Sequence, residues 1–211
     1  MESKFVSGVF LWMFIGLLIT FGTGYYVSLN KNMLYNLFSG GMYLFLALIE
    51  IVIAIVLSTR INKMNPLTAK ILFCLYSFVT GLTFSSIFVV YKLESVISVF
   101  LVTSLIFLVF SIIGYITKLD LSKFSTYLFM GLIGILLCSI INIFIGSDAF
   151  TTFISCIGVV IFIGMTAYDV WKLKYYDPSN ENNTIICAFG LYLDFINIFI
   201  YLLRLFGKRD D

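Results

Sequence analysis

The chain has 211 residues, of which 61% are hydrophobic and 11% charged, with a net charge of +2 and a mean hydropathy of +1.08. Soluble domains are about 45–50% apolar and about 25% charged, so this composition excludes a water-soluble fold, and the small net charge predicts no nucleic-acid partner. Histidine is absent, which excludes Ser–His triads, His-ligated zinc sites and imidazole pH switches.

The first apolar run extends from about residue 5 to residue 29. The hydrophobic core of a signal peptide has about 7–15 residues and precedes a small-residue cleavage site. This run is longer and no A-x-A pattern follows it, so we expect a first spanning helix and not a cleaved leader.

Spanning helices need about 20 predominantly apolar residues. Seven runs reach that length, at about residues 5–29, 37–59, 67–91, 95–116, 125–146, 150–174 and 185–206. The gaps between them are short and polar, and Pro66 stands just before the third run, where a helix start tolerates proline. We predict an all-α integral membrane protein, a single domain over residues 1–211 that forms a seven-transmembrane-helix bundle in the lipid bilayer.

Glycines recur in two of the later runs. Gly131 and Gly134 lie in the fifth run, and Gly158 and Gly164 lie in the sixth. Small residues let membrane helices approach each other closely, so we expect packing contacts at these four positions.

The positions of lysine and arginine predict the orientation, because cytoplasmic loops are enriched in both. Eight lie on the side of the N-terminus: Lys4, Arg60, Lys63, Lys70, Lys118, Lys123, Lys172 and Lys174. Five lie on the opposite side: Lys31, Lys92, Arg204, Lys208 and Arg209. The bias favours a cytoplasmic N-terminus. The basic C-terminal cluster leaves open whether the C-terminus is outside or returns to the cytoplasm.

Asp194 interrupts the last apolar run. Counted from Ile185 at about 1.5 Å per residue, its depth is roughly 13 Å, near the middle of the membrane. At 100° per residue, Gly190, Asp194, Asn197 and Tyr201 share one stripe of this helix. A polar stripe on an otherwise apolar helix is expected to face the bundle interior, so we predict that the C-terminal helix is central.

Asp169 lies near the end of the sixth run, at a depth of about 10 Å if that helix continues to Tyr176. The sixth and seventh helices are antiparallel neighbours, so the carboxyls of Asp169 and Asp194 are expected to face each other. Two close carboxylates cannot both ionise cheaply, and the pair then shares a proton. Such a pair is a pH-sensitive device that needs no histidine.

Arg60 and Glu50 extend this acidic group along the second run. Arg60 closes that helix on the side of Asp169 and can neutralise an ionised aspartate, and Glu50 lies about 15 Å deeper. Together the carboxyls line a path for a cation, and calcium is bound by carboxylate, amide and carbonyl oxygens. The structural alternative is an interhelical hydrogen bond between the aspartates with an ion pair to Arg60.

Two segments resemble the C-terminal part of the Bax inhibitor-1 family, also called the transmembrane Bax inhibitor motif family. They are Ala-Tyr-Asp at 167–169 and Leu-Tyr-Leu-Asp-Phe-Ile-Asn-Ile-Phe-Ile-Tyr-Leu-Leu-Arg at 191–204. The resemblance extends over essentially the whole chain. The further matching positions are Glu50, Arg60, Thr80-Gly81-Leu82-Thr83 and Ile141-Asn142-Ile143-Phe144.

The resemblance implies a seven-helix bundle with the last helix central and a pH-dependent calcium leak. It implies that Asp169 and Asp194 are the paired aspartates that sense pH, gate the ion and contact calcium, and that Arg60 is the latch. We assign accessory or pore-lining roles to Glu50, Asn142, Asn197, Tyr201 and Arg204. The compact size resembles a bacterial member, which implies the plasma membrane. We also expect a monomer, with calcium as the transported ion and no cofactor.

Two other readings compete with the channel. Two aspartates on adjacent helices resemble an intramembrane aspartyl protease, but Asp194 lacks the Gly-x-Gly-Asp context and the Pro-Ala-Leu motif is missing, so we expect no enzyme. A non-conducting regulator would bind another membrane protein, such as a membrane protease or a death-pathway factor. A retinal receptor is disfavoured because the seventh run has no buried lysine.

Overall fold

A computed structural model describes residues 2–39 and 41–210 of the chain. The α-helices of these residues are, in chain order, α1 Glu2–Ser28, α2 Lys31–Phe38, α3 Met42–Arg60, α4 Pro66–Phe84, α5 Ile87–Val90, α6 Leu93–Ile116, α7 Ser122–Ile145, α8 Asp148–Lys172 and α9 Glu181–Phe206. Short 3-10 turns follow α3 and α8. In the described residues the β-structure is limited to an isolated antiparallel bridge between Tyr91 and Arg209.

Seven helical stretches of the described residues are long and apolar enough to cross a bilayer, with mean hydropathies of 1.8 to 2.9 over their most apolar windows. They correspond one to one with the seven predicted runs. The all-α fold and the seven spanning helices are therefore confirmed, and the chain is a multi-pass membrane protein.

The second predicted run begins differently from the expectation. Residues 31–38 form the separate helix α2, whose first turn is capped by the Asn30 side chain, which accepts hydrogen bonds from the N–H groups of Asn32 and Met33. Gly41, with φ +81°, then precedes α3. A left-handed backbone is accessible to glycine at little cost, so Gly41 permits a break that hydropathy alone does not reveal.

The third predicted run is also broken. The helix α4 ends at Phe84, and two residues separate it from α5. At this break the Ser85 hydroxyl donates to the Leu82 carbonyl at 2.6 Å, and the Ser86 hydroxyl donates to the Thr83 carbonyl at 2.9 Å. Hydroxyls that bond to nearby carbonyls compete with the helical ladder, which explains an interruption inside an apolar stretch.

The chain packs as two compact units. The first contains the residues up to Lys92, Tyr176–Tyr192 and the last residues from Arg209, and the second contains Leu93–Tyr175 and Leu193–Lys208. The helix α9 contributes its first part to one unit and its second part to the other. The prediction of a single domain stays a prediction.

In the first unit, α1 packs against α4 and the first part of α9. Gly81 lies so close to α1 that a Cβ there would be 2.7 Å from the Thr23 Cβ. The Thr20 hydroxyl donates to the Ser77 carbonyl at 2.9 Å and lies 2.6 Å from the Tyr192 hydroxyl. Since the Thr20 proton is used on the carbonyl, Tyr192 is the donor to Thr20. Buried polar groups of this unit therefore form an ordered hydrogen-bond chain.

The loops of the first unit are held by polar contacts near α9. The Asn182 amide donates to the carbonyls of Ile61 and Met64, both at 2.9 Å. The ammonium of Lys70 lies 2.6 Å from the Glu181 carboxylate. These contacts connect the start of α9 to the turn between α3 and α4.

In the second unit, α6, α7, α8 and the second part of α9 pack together. Phe195 of α9 contacts Phe100 and Phe107 of α6, with ring centroids 5.4 and 5.5 Å away. Lys174 donates to the Thr117 carbonyl at 3.1 Å, at the end of α6. A cationic donor at a helix C-terminus satisfies free carbonyls and favours the helix dipole.

The predicted glycine contacts hold at three of four positions. A Cβ would approach Ile161 at Gly131, the Tyr201 ring at Gly158 and Leu128 at Gly164, each within 2.6–2.8 Å. At Gly134 no heavy atom lies within 4 Å, so the prediction for that glycine is wrong.

Burial separates α9 from the other spanning helices. In its apolar window 72% of the residues are buried, against 6–44% for the other six. Apolar residues on several sides of α9 are buried, including Leu191, Phe195, Ile198 and Phe199. Of the predicted polar stripe, Asp194 and Tyr201 are buried, and Gly190 and Asn197 are half-buried. The high burial of α9 agrees with the prediction that the last helix lies in the interior.

Candidate functional site

Asp194 lies in the middle of α9, in the second unit. The helix begins four residues earlier than predicted, at Glu181, which places Asp194 about 20 Å along it at 1.5 Å per residue. The side chain is 2% exposed, and its Oδ2 has no hydrogen-bond partner in the described part of the chain. A buried acidic oxygen without a donor is costly in protein or lipid, so this group calls for an explanation beyond packing.

Asp169 belongs to the same unit. It lies three residues before the end of α8 and is half-buried. Its charge acts on Asp194, and the charge of Lys172, one turn further along α8, acts on Asp169. The structure therefore brings the two predicted aspartates within electrostatic range of each other.

Asn197 and Tyr201 follow Asp194 on the predicted stripe. The Asn197 amide donates to the Leu193 carbonyl of its own helix at 2.8 Å. The Tyr201 ring is buried against Gly158 and lies 6.0 Å from the Phe162 ring. Asn197 is therefore bonded within α9, Tyr201 packs against α8, and the pore-lining role of both residues stays a prediction.

Glu50 lies in the middle of α3, in the first unit, and is half-buried. The Thr83 hydroxyl of α4 lies 2.9 Å from its Oε1. The phenols of Tyr76 and Tyr192 lie within electrostatic range of its carboxyl group. Glu50 therefore has its own polar surroundings, made of hydroxyl groups of the first unit.

Arg60 is the last residue of α3 and is exposed. A cation in the last turn of a helix is favoured by the helix dipole, which accounts for the position without a carboxylate partner. Arg60 belongs to the first unit and both aspartates belong to the second. The latch stays a prediction.

Asn142 and Arg204 occupy helix ends. The Asn142 side chain donates to the Thr151 hydroxyl at 2.7 Å and accepts from the Ser147 N–H at 3.3 Å, which links α7 to the start of α8. The Arg204 guanidinium lies 5.7 Å from the centroid of the Tyr201 ring, in cation–π range. These contacts give both residues a local role, and their accessory roles in ion passage stay predictions.

The carboxyls of two exposed loops behave differently from the buried ones. The Ser179 N–H and hydroxyl both donate to Asp177 and lower the pKa of that carboxyl. Hydrogen bonds from Ser122 likewise lower the pKa of Asp120. Both groups therefore remain ionised in the neutral range, and they do not serve as sensors there.

The described residues contain no group of three or more cysteine, aspartate or glutamate side chains that could hold a metal ion together. A cation at Asp169 and Asp194 would take its remaining ligands from carbonyl oxygens or water, which hard cations accept.

Sequence reasoning found the buried acids but missed their hydroxyl neighbours. Thr80, Thr83 and Tyr192 entered only as parts of family-like segments, and Thr20 did not enter at all. One signal was available, because Tyr76, Thr80 and Thr83 follow i, i+4 and i+7 spacing and so share one face of a helix. Their partners on α1, α3 and α9 require the three-dimensional fold.

Comparison with known proteins gives consistent matches over almost the whole chain. The family described as "Inhibitor of apoptosis-promoting Bax1" matches residues 2–211. "Inner membrane protein YbhL" of Escherichia coli K12 is 42% identical over 98% of this chain and 92% of its own length. An uncharacterised protein of Borreliella burgdorferi is 41% identical over 100% of this chain and 94% of its own length.

A more distant relative, the uncharacterised protein RP147 of Rickettsia prowazekii, is 34% identical over 99% of this chain and 91% of its own length. The matches extend from end to end and come with the seven spanning helices described above. The chain therefore belongs to the Bax inhibitor-1 family of multi-pass membrane proteins.

Proposed function

We propose that this membrane protein is a pH-sensitive calcium leak channel, gated by a proton that Asp169 and Asp194 share. The observation that carries the proposal is the state of Asp194. Its side chain is 2% exposed inside a spanning helix, one carboxyl oxygen has no partner in the described residues, and a second acid acts on it. A packing role alone would leave this group better replaced by an apolar side chain.

The proton supplies the pH dependence. With both carboxyls ionised, like charges repel in a low-dielectric site, so one bound proton stabilises the pair. Loss of that proton leaves two carboxylates, which attract a divalent cation or a nearby arginine. The chain has no histidine, and the exposed Asp120 and Asp177 remain ionised at neutral pH, so the buried pair is the sensor suited to that range.

The proposed channel also has a latch and residues that line the ion path. Arg60 closes the channel by pairing with the ionised aspartates, and protonation releases it. Glu50, Asn142, Asn197, Tyr201 and Arg204 are accessory or pore-lining residues. The protein is a passive channel and not an enzyme.

The proposed location is the plasma membrane, with a cytoplasmic N-terminus and a monomeric channel. The relative YbhL is named an inner membrane protein, which supports this location. The excess of lysine and arginine on the side of the N-terminus supports the orientation.

The test is calcium flux into liposomes that contain the purified protein and a calcium dye, measured over a series of pH values. Wild-type protein is expected to give a flux that depends on pH. Asp169→Asn and Asp194→Asn are each expected to remove that dependence. The matched control is Asp177→Asn, which changes an exposed aspartate of a loop. Flux that is unchanged in both buried variants would overturn the proposal.

The latch is tested by Arg60→Ala in the same assay. Removal of the cation is expected to raise the flux at the pH where wild-type protein is closed. The matched control is Lys63→Ala, an exposed basic residue in the adjoining 3-10 turn. Equal flux in Arg60→Ala and wild type would remove Arg60 from the gate.

Two outcomes would favour the competing functions. No calcium flux in wild-type liposomes, together with a stoichiometric membrane-protein partner in a pull-down, would favour the non-conducting regulator. Cleavage of a model transmembrane helix by wild type and not by Asp194→Asn would favour the aspartyl protease.

A further inference from the structure

Glu50 and Thr83 face each other in the first unit, away from the aspartates in sequence and in packing unit. Both lie inside spanning stretches, Glu50 in α3 and Thr83 one residue before the end of α4. The Thr83 Oγ1 lies 2.9 Å from the Glu50 Oε1 and also 2.9 Å from the Thr80 carbonyl oxygen. The hydroxyl therefore has two oxygen neighbours at hydrogen-bond distance.

Two hydrogen bonds at these distances need two protons. A threonine hydroxyl has one proton to donate, and both a carboxylate and a carbonyl are acceptors. Two full hydrogen bonds at 2.9 Å are formed together only if the second proton belongs to the carboxyl. Glu50 then donates its O–H to Thr83, and Thr83 donates its own O–H to the Thr80 carbonyl.

The surroundings of Glu50 also favour its protonated, neutral form. In the described residues no lysine or arginine forms a salt bridge with Glu50. The salt bridge found among these residues joins Lys70 to Glu181. The titratable groups that act with Glu50 are the phenols of Tyr76 and Tyr192, which are neutral at neutral pH. A carboxylate inside a spanning helix is costly without a paired cation, so the protonated form of Glu50 is the less costly one.

A second hydroxyl adds to the site. Thr80 lies almost one turn before Thr83, is 4% exposed, and its Oγ1 has no hydrogen-bond partner in the described residues. It lies beside the Tyr76 and Tyr192 phenols without completing a hydrogen bond. A buried hydroxyl without a partner beside these phenols can change its hydrogen bonding when a proton enters or leaves the site.

We propose that Glu50 and Thr83 form a proton-binding site of their own, in which Glu50 holds the proton and Thr83 passes the hydrogen bond on to the Thr80 carbonyl. When the proton leaves, the Thr83 hydroxyl turns to the carboxylate and the Thr80 carbonyl loses its side-chain donor. That carbonyl lies about one turn before the end of α4 at Phe84. The site therefore couples protonation of Glu50 in α3 to the hydrogen bonding of the Thr80 carbonyl in α4.

The site is distinct from the proposed calcium gate, and its test does not depend on calcium flux. Infrared spectra detect the C=O band of a protonated carboxyl, which moves in D2O. The experiment uses the full chain in lipid at neutral pH, in an Asp169→Asn/Asp194→Asn background that removes the aspartate signal. A protonated-carboxyl band is expected in this background and is expected to be lost on adding Glu50→Gln.

Two threonine variants test the partner. Thr83→Val removes the hydroxyl at nearly constant shape and is expected to shift the band. Thr83→Ser retains the hydroxyl and is expected to leave the band in place. A band that Thr83→Val does not move would remove Thr83 from the site.

Isotope labelling gives a readout that needs no variant at Glu50. The glutamates of the chain are Glu2, Glu50, Glu94 and Glu181, and all except Glu50 lie within the first two residues of a helix. Glutamate labelled with carbon-13 at the side-chain carboxyl is expected to shift the band of the otherwise unaltered wild-type protein. The absence of any labelled protonated-carboxyl band at neutral pH would overturn the proposal, whatever the calcium flux shows.

Discussion

The helices α9 and α7 are both apolar spanning helices, with mean hydropathies of 2.0 and 2.6, yet 72% of the window is buried in α9 and 6% in α7. The less apolar helix is thus the more buried one. In water this order would be reversed, because burial follows apolarity there. In lipid the tails are as apolar as leucine, so polar groups and close packing decide which helix lies inside.

The contacts of the two helices follow this difference. Tyr192 of α9 is fully buried and hydrogen-bonded to Thr20, and Asp194 is 2% exposed. On α7, Tyr127 is 71% exposed, and Ile135 is the buried residue of the helix in the described chain. Substitutions on the two helices are therefore expected to have different costs.

The largest expected effect is at Gly158, whose partner is α9. In Gly158→Ala the new Cβ would lie 2.6–2.8 Å from three atoms of the buried Tyr201 ring. Overpacking of this kind costs about 1–3 kcal/mol, so the free energy of unfolding is expected to fall by that amount in detergent. The matched change on α7 is Gly134→Ala, where no heavy atom lies within 4 Å. If Gly158→Ala and Gly134→Ala lower the free energy of unfolding equally, the two helices do not differ in their tolerance of added side-chain volume.

The next effect is expected for Tyr192→Phe. It removes the hydroxyl that donates to Thr20 inside the first unit, while the Thr20 bond to the Ser77 carbonyl remains. A buried hydrogen bond contributes about 0.5–1.5 kcal/mol, and thermal unfolding is expected to show a loss of that size. Tyr127→Phe on α7 is the control and is expected to leave the unfolding temperature unchanged. If Tyr127→Phe lowers the unfolding temperature as much as Tyr192→Phe does, the exposed face of α7 is as sensitive to substitution as the buried α9.

A smaller effect is expected for Asn142→Ala, the polar exception on α7. The amide links the Thr151 hydroxyl and the Ser147 N–H across the turn to α8, and the half-buried site suggests a loss of about 0.5–1 kcal/mol in unfolding free energy. The neighbouring Ile143, 78% exposed, provides the control Ile143→Ala. If both changes cost the same, the polar link across the turn contributes nothing.

The smallest effect is expected at Asp177, outside the helices. Its pKa is lowered from the ordinary 3.8 by the Ser179 donors, so its contribution to stability is present above that value and is lost as the pH falls through the lowered pKa. The difference in unfolding temperature between wild type and Asp177→Asn is therefore expected to be small and to stay the same from pH 6 to pH 8. A difference that changes with pH in that range would show that Asp177 titrates there.

Sequence reasoning predicted the number of spanning helices because hydropathy and length decide that property. It missed the break after α2 and the break between α4 and α5, because both depend on a glycine backbone or on hydroxyl groups that hydropathy does not register. It found Asp169 and Asp194 because an acid in an apolar run is conspicuous. It missed the Thr83 partner of Glu50, since contacts between helices depend on how they are rotated and paired.

The most direct test of the aspartate pair is a double-mutant cycle on the pH dependence of calcium flux in liposomes. If Asp169 and Asp194 share one proton, they act as one sensor, and effects within one coupled unit do not add. The account predicts that Asp169→Asn, Asp194→Asn and the double variant lose the pH dependence to the same extent, while Asp177→Asn retains it. A double variant whose loss equals the sum of two partial and independent losses would contradict the account.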